Sequence, residues 1–159
     1  MADDVARVRV GFELPQDGDN WPPVGVETMW AITRDEDLVE LDNIPFFVQG
    51  FSAGDVVRVV PDDDGLLWVR EAVEYSENCT IRIVPYGDGD SAQKRQAVLD
   101  AFAPLRVEGE GLKRFNLVAL HVPADADIRA VKQLVIQGAQ SGRWDYEEGC
   151  ISEEWRAAD

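Results

Sequence analysis

Hydrophobic and polar positions alternate with a period of two along the first half of the chain, and this pattern predicts short β-strands. The alternation first appears over residues 5–10, where Arg7 and Arg9 alternate with Ala6, Val8 and Val10, and a breaker-rich stretch follows over residues 15–23. It recurs over residues 26–33 and 38–41. The acidic turn 34–37 between these two segments predicts a β-hairpin with its charges in water.

A second hairpin is predicted around the dipeptide Asp64-Gly65. It lies between two β-branched and aromatic runs, residues 55–60 and 66–73, and Asp-Gly in that setting is a strong short-range hairpin signal. Short strands at this even spacing predict a small antiparallel β-barrel-like half over residues 1–77.

The second half of the chain mixes the helical and the strand period. Ser91 is a candidate N-cap for a first helix, and Asp125 or Asp127 for a second one that ends near Gly138 and Gly142. The predicted order is strand 80–85, helix from 91, strand 106–110, strand 112–122, helix from 125 or 127, and strand 143–151. This β-α-β-β-α-β order predicts a ferredoxin-like half over residues 78–159. The expected class is therefore α+β, with both halves packed as one integrated unit.

The net charge narrows the classes of partner. With 31 acidic and 15 basic residues, the formal charge is −16, which argues against binding to a phosphate backbone. Such acidity either attracts a basic protein or keeps the protein soluble. No secretion signal or membrane-length apolar stretch is recognised, so a cytoplasmic location without membrane contact is expected.

Catalytic chemistry has little support in the residue pattern. His121 is the only histidine, and it ends an apolar strand, where a hydrogen-bonded structural role is favoured over a general base. No serine nucleophile motif is recognised. The cysteines, Cys79 and Cys150, have no Cys-x-x-Cys spacing, so reduced thiols are expected.

Aspartates alternate with glycine at two places, residues 17–19 and 88–90, as calcium ligands sometimes do. A helix-loop-helix calcium site needs a glutamate at the twelfth position, and Thr28 and Leu99 stand there instead. Turn chemistry explains these aspartates. No metal, cofactor or catalytic residue is predicted.

Two segments are candidate binding surfaces. Phe46 and Phe47 lie in an apolar loop next to a proline, where they either pack in the barrel core or are exposed as anchors for a partner. The second segment combines aromatic and acidic side chains that suit a basic partner or a cationic ligand, although a solvated edge strand has the same composition. It consists of Trp144, Asp145, Tyr146, Glu147 and Glu148.

Four segments together resemble a bacterial family known as domain of unknown function 4265. They are Glu27-Thr28-Met29-Trp30-Ala31, Asn43-Ile44-Pro45-Phe46, Gly54-Asp55-Val56-Val57 and the ending from Gly142 to Cys150. The resemblance implies a bacterial origin and a single integrated unit. It implies no activity, because the family has no assigned reaction.

The leading hypothesis is a non-catalytic acidic interaction protein, such as an immunity or antitoxin-like inhibitor of a basic partner protein. One alternative is an enzyme that uses Glu147 or Glu148 as acid or base near Trp144. Another is a small-molecule binding module with a cleft between the two halves. In a ferredoxin-like half the first and fourth strands are antiparallel neighbours, so Cys79 and Cys150 are also expected to lie close in space.

Overall fold

The computed structural model describes residues 6–15 and 22–159, and the chain divides into two compact units, residues 1–76 and 77–159. The loop predicted around Asp17 and Asp19 lies outside the described residues. The elements are β1 (Arg7–Glu13), β2 (Val26–Thr33), β3 (Leu38–Leu41), β4 (Val56–Pro61), β5 (Leu67–Glu74), β6 (Cys79–Pro85), α1 (Ser91–Phe102), β7 (Glu108–Leu112), β8 (Leu117–Val122), α2 (Ile128–Gln140), β9 (Trp144–Cys150) and α3 (Glu153–Ala157). The α+β class is confirmed, with two largely antiparallel sheets and few helices. None of the helices in the described ranges has the length and apolar character needed to cross a membrane.

In the first unit, β1 to β5 pair in chain order, and β1 also pairs with β5, so that the sheet closes on itself. Consecutive strands pair antiparallel, whereas the closing pair, β1 with β5, is parallel through Val10–Leu67 and Gly11–Trp68. Five strands that alternate in direction leave the first and last pointing the same way, so closure between them must be parallel. The antiparallel pairing expected from the sequence is present between consecutive strands, and the β1–β5 contact adds a parallel pair.

The period-two pattern decides which side chains fill the first unit. Along β2 buried and exposed residues alternate, and buried apolar side chains from each of the five strands except β5 form its core. The buried set on these strands is Val10, Phe12, Met29, Ala31, Val39, Leu41, Val57 and Val59.

The hairpin predicted at Asp64-Gly65 is present between β4 and β5. Asp62 holds the turn: its carboxylate accepts hydrogen bonds from the backbone of Asp64 and Leu66 and from Nε1 of Trp68 at 2.8 Å. Trp68 donates the bond that contributes most to lowering the pKa of Asp62 below its usual value. Gly65 has φ +85°, a conformation that glycine adopts without steric cost.

The second unit contains a four-stranded antiparallel sheet in the order β7-β8-β6-β9. Its core combines apolar side chains of β6 and β8 with the apolar stripes of α1 and α2. The core includes Ile81, Ile83, Val98, Phe102, Val118, Leu120, Val131, Val135 and Trp144.

The helix ends differ in detail from the sequence predictions. Asp90, and not Ser91, caps α1 by accepting a hydrogen bond from the backbone of Ala92, while Asp127 caps α2. Gly138 does not end α2, which continues to Gln140. A glycine is required there because a Cβ atom at this position would overlap the indole ring of Trp144.

Two segments of the second unit were not anticipated. The strand predicted over 112–122 is interrupted by a 3-10 turn at residues 113–115, after which Asn116 adopts φ +48° and β8 begins. A third helix, α3, follows β9 and is capped by Ser152, whose hydroxyl accepts from the backbone of Trp155. Trp155 is buried in the core.

The two cysteines lie on neighbouring strands, as the topology predicts, but they are not disulfide-bonded. Cys150 is directly opposite Thr80, one residue along from Cys79. Since successive residues point to opposite sheet faces, this offset directs the two thiols to different faces. The Cys79 sulfur is buried and contacts Ser152, accepting from its backbone N–H at 3.4 Å.

Replacing Gly138 by alanine tests the packing of α2 on Trp144. At an exposed helical position this change would stabilise the protein by about 1 kcal/mol. Here the added methyl group overlaps the indole ring, so we expect the free energy of unfolding to fall by about 1–3 kcal/mol in urea denaturation. Gln137→Ala, at the adjacent exposed position of α2, is the control. An unchanged midpoint for Gly138→Ala would contradict this packing.

Candidate functional site

Glu27 anchors the loop of residues 43–48, which contains the Asn-Ile-Pro-Phe sequence and is called the motif loop below. Although it lies on a strand, Glu27 is buried, and its carboxylate accepts three backbone hydrogen bonds. The donors are the N–H groups of Phe46, Phe47 and Val48, at 2.7, 3.1 and 2.9 Å. Charge-assisted bonds of this kind satisfy a buried carboxylate and fix the backbone that surrounds it.

Two further polar side chains fix the chain near the motif loop. Asn43 accepts a hydrogen bond from the backbone of Trp30 at 2.7 Å, which ties the start of the loop to β2. Asp55 is buried and accepts from the backbone of Ser52 and from both the backbone and the hydroxyl of Ser76. Glu27, Asn43 and Asp55 therefore position backbone in the first unit.

Phe46 and Phe47 occupy different environments. Phe46 is half-buried, while Phe47 is buried and contributes to the wall of a cavity of about 360 Å³, called the barrel-end cavity below. Its apolar wall also includes Phe12 and Phe51, whose rings meet edge to face with centroids 4.9 Å apart. Leu14, Pro15, Pro22, Val48 and Val69 complete that wall, and Glu13, Gln49 and Arg70 add polar groups.

The aromatic residues of the β9 segment belong to the protein interior. Trp144 is 2% exposed, packs against Phe102 with centroids 5.7 Å apart, and donates from Nε1 to the carbonyl of Val135 at 3.0 Å. Tyr146 is half-buried against the same core. The expectation that Trp144 forms part of a binding surface is wrong, because its ring is enclosed by α1 and α2.

The carboxylates of the β9 segment are engaged within the second unit. Glu147 pairs with Arg82, which is 1% exposed, through an N–O contact of 2.7 Å. Glu148 accepts from Nε1 of Trp155 at 2.6 Å, and Asp145 accepts from the backbone of Tyr146. The segment predicted as a surface for a partner therefore contributes mainly to local structure.

His121 lies on β8 opposite Thr80 on one side and Glu108 on the other. Its Nδ1 atom is buried without a hydrogen-bond partner, so the hydrogen bond expected for a structural histidine is missing at that atom within the described ranges. Burial lowers the pKa of His121, and the negative charge of Glu108 opposes that shift. The described residues include no group of three or more His, Cys, Asp and Glu side chains arranged to hold a metal ion.

Negative charge is unequally divided between the two units. Residues 1–76 contain 17 acidic and 5 basic residues, while residues 77–159 contain 14 and 10. The first unit thus has a formal charge of −12. Its exposed carboxylates are concentrated in the hairpin turns 35–37 and 62–64, where Asp37 is paired with Arg58.

The fold and these sites define a two-unit α+β protein with buried polar anchors, an aromatic cavity and an acidic first unit. The chain belongs to the family described as domain of unknown function (DUF4265), whose model matches residues 27–146. A crystal structure of a hypothetical protein from Neisseria gonorrhoeae is similar, with a TM-score of 0.70 and 15% identity over 92% of this chain and 96% of that chain. At that identity the likeness concerns the fold alone. A search of curated proteins gave no match.

Sequence reasoning did not identify Glu27 or Asp55 as buried anchors. Both occur among alternating or acidic residues of an acidic chain, where a carboxylate is normally exposed. The one available signal is that Glu27 occupies an inward position in the period-two pattern of β2.

Replacing Glu27 by glutamine tests the anchor of the motif loop. The amide is nearly isosteric, but it removes the charge and turns one acceptor into a donor that faces backbone N–H groups. Since a hydrogen bond to a charged group is worth about 1.5–3 kcal/mol, we expect a loss of about 2–4 kcal/mol in urea denaturation. Glu36→Gln, in an exposed turn, serves as the control. Equal stability of the two variants would show that the carboxylate does not support the loop.

Proposed function

We propose that this protein is a non-catalytic interaction protein whose acidic first unit engages a basic partner protein. The observation that carries the proposal is the formal charge of −12 on residues 1–76. An exposed surface of one sign raises the rate of encounter with an oppositely charged protein by orders of magnitude. An immunity or antitoxin-like inhibitor, which must capture its target quickly, is the form of this function that we propose.

The two glutamates that the alternative enzyme hypothesis would use as acid or base have structural partners, which supports a non-catalytic function. Glu147 is paired with the buried Arg82, and Glu148 is hydrogen-bonded to Trp155. A general acid or base must reach a substrate proton, and both side chains are directed to neighbours within the second unit. Glu147 and Glu148 therefore favour a structural role over catalysis.

The finer fold assignment forms part of the same proposal. The closed order β1-β2-β3-β4-β5 supports a small barrel, and the order β7-β8-β6-β9 with two crossover helices supports a ferredoxin-like second unit. We also place the protein in the cytoplasm, because a chain with two free cysteines and no disulfide framework is typical of that compartment.

The barrel-end cavity favours a second candidate function, the binding of a small apolar molecule. Its volume of about 360 Å³ falls within the range of ligand pockets, and Phe12, Phe47 and Phe51 give it an aromatic wall. The Glu27 anchor fixes the backbone of Phe47. A wall that is held in place before binding reduces the entropic cost of taking up a ligand.

The charge proposal predicts the salt dependence of association with a basic partner captured from the native host. We expect a first-unit variant that removes four exposed charges to associate more slowly at low salt, on the order of tenfold. The changes are Asp35→Asn, Glu36→Gln, Asp63→Asn and Asp64→Asn.

The matched control removes four exposed charges from the second unit by Asp88→Asn, Asp125→Asn, Glu153→Gln and Glu154→Gln. Rates are measured by stopped-flow fluorescence between about 20 and 500 mM salt, where screening shortens the Debye length severalfold. A rate that does not depend on salt, or equal slowing by both variants, would contradict steering by the first unit.

Indole is a suitable probe for the cavity. We expect it to shift the amide resonances of residues that line the cavity, and Val69→Trp to abolish these shifts by filling the space. Val73→Trp, on the same strand but outside the cavity lining, should leave them unchanged. Shifts that persist in Val69→Trp would rule out the barrel-end cavity as the binding site.

A further inference from the structure

The strand β7 is an edge of the second-unit sheet. It pairs with β8 on one side, and in the described part of the chain no strand pairs with its other side. Alternate residues of an edge strand direct their N–H and C=O groups away from the sheet, where they can pair with an added strand. This free side is called the β7 edge below.

The side chains of β7 differ between its two faces. On the helix face stand Gly109 and Gly111; a Cβ atom at Gly109 would lie 2.9 Å from Cδ2 of Leu99, and one at Gly111 would lie 3.3 Å from Cδ of Arg95. The glycines thus allow α1 to lie close to the strand. The glutamates Glu108 and Glu110 are exposed on the opposite face.

A groove of about 620 Å³ runs beside the β7 edge, between the strand and the end of α1. Leu99, Ala103 and Val107 give it apolar surface, and the remaining lining residues are Gln96, Asp100, Arg106, Glu108 and Gly109. A strand added at the edge would direct every second side chain into this groove and the others beside Glu108 and Glu110.

Charge favours a basic segment over a second copy of this chain as the strand that pairs with the β7 edge. Pairing with a second copy that keeps all helices on one face would bring the glutamates of both strands onto a shared face, and like charges across strands are destabilising. Basic residues on an added strand would face Glu108 and Glu110 as opposite charges. The groove side of the same strand meets Leu99 and Ala103, which suits apolar side chains.

We propose that the β7 edge binds an extended segment of the basic partner in which lysine or arginine alternates with apolar residues. The segment adds a fifth strand to the sheet, with its basic side chains beside Glu108 and Glu110 and its apolar side chains in the groove along α1. This inference rests on the proposed function, since it takes the partner to be basic. In addition to the acidic first unit that attracts the partner, it assigns a second contact surface, on the second unit, and the sequence pattern of the segment bound there.

A labelled nonapeptide of alternating lysine and valine tests the inference with the full chain by fluorescence polarisation. We expect binding that shifts the amide resonances of residues 108–112, and no binding of the matching glutamate–valine peptide. The backbone N–H groups of alternate residues in a strand point to the same edge, so methylating the backbone nitrogens of the valines in one peptide and of the lysines in a second removes the strand hydrogen bonds to β7 in one of the two. That peptide retains its charge and should bind at least tenfold more weakly.

The variant Glu108→Gln with Glu110→Gln should weaken binding of the peptide about tenfold. The control, Glu153→Gln with Glu154→Gln, removes the same charge from exposed positions on α3 and should change the affinity less than twofold. Equal affinity of the unmethylated peptide and both methylated peptides, or equal weakening by both variants, overturns the edge inference.

The proposed function is judged separately. A captured basic partner that associates in a salt-dependent manner supports the proposed function even if the lysine–valine peptide does not bind, in which case the β7 edge alone is excluded. If no basic partner associates in a salt-dependent manner, the proposed function fails. If the lysine–valine peptide binds equally well with and without backbone methylation, its binding reflects general charge attraction and not pairing with the β7 edge.

Discussion

The Glu27 carboxylate accepts three consecutive backbone N–H groups, and the geometry of the first unit near the motif loop depends on that arrangement. A buried carboxylate is costly unless its oxygens are fully bonded, so the loop must present Phe46, Phe47 and Val48 in one conformation. Phe47 is thereby held in the wall of the barrel-end cavity. A single polar contact thus links a strand position, a loop and an aromatic pocket.

In the second unit, glycines that allow close packing determine the local geometry, as the Glu27 carboxylate does in the first unit. Gly138 admits the indole of Trp144, and Gly109 and Gly111 let α1 lie against β7. Glycine in a helix or strand weakens the element locally. Here the packing that it permits offsets that cost and creates both a buried tryptophan and an edge with side chains on one face only.

The acidic residues fall into two groups: carboxylates that have partners inside the protein and carboxylates that are exposed to solvent. Glu27, Asp55, Glu147 and Glu148 are bonded to backbone, arginine or tryptophan within their own units. Other carboxylates are exposed, among them Glu36 and Asp63 in the hairpin turns of the first unit and the two glutamates of β7. The exposed carboxylates support the proposed binding of a basic partner, because charge that is not committed to internal contacts acts over a distance in water.

The sequence by itself determined the alternation of buried and exposed positions in the strands, the Asp64-Gly65 hairpin, the α+β class and the family, because each is encoded in local spacing and residue type. It placed Trp144 on a surface and Ser91 at a helix cap, and it did not reveal α3. The role of Trp144 depends on Gly138, six residues away in another element, and the role of Glu27 depends on backbone groups about 20 residues away. Only the tertiary structure decided these roles, because burial and hydrogen-bond partners are set by segments that meet in space after the chain has folded.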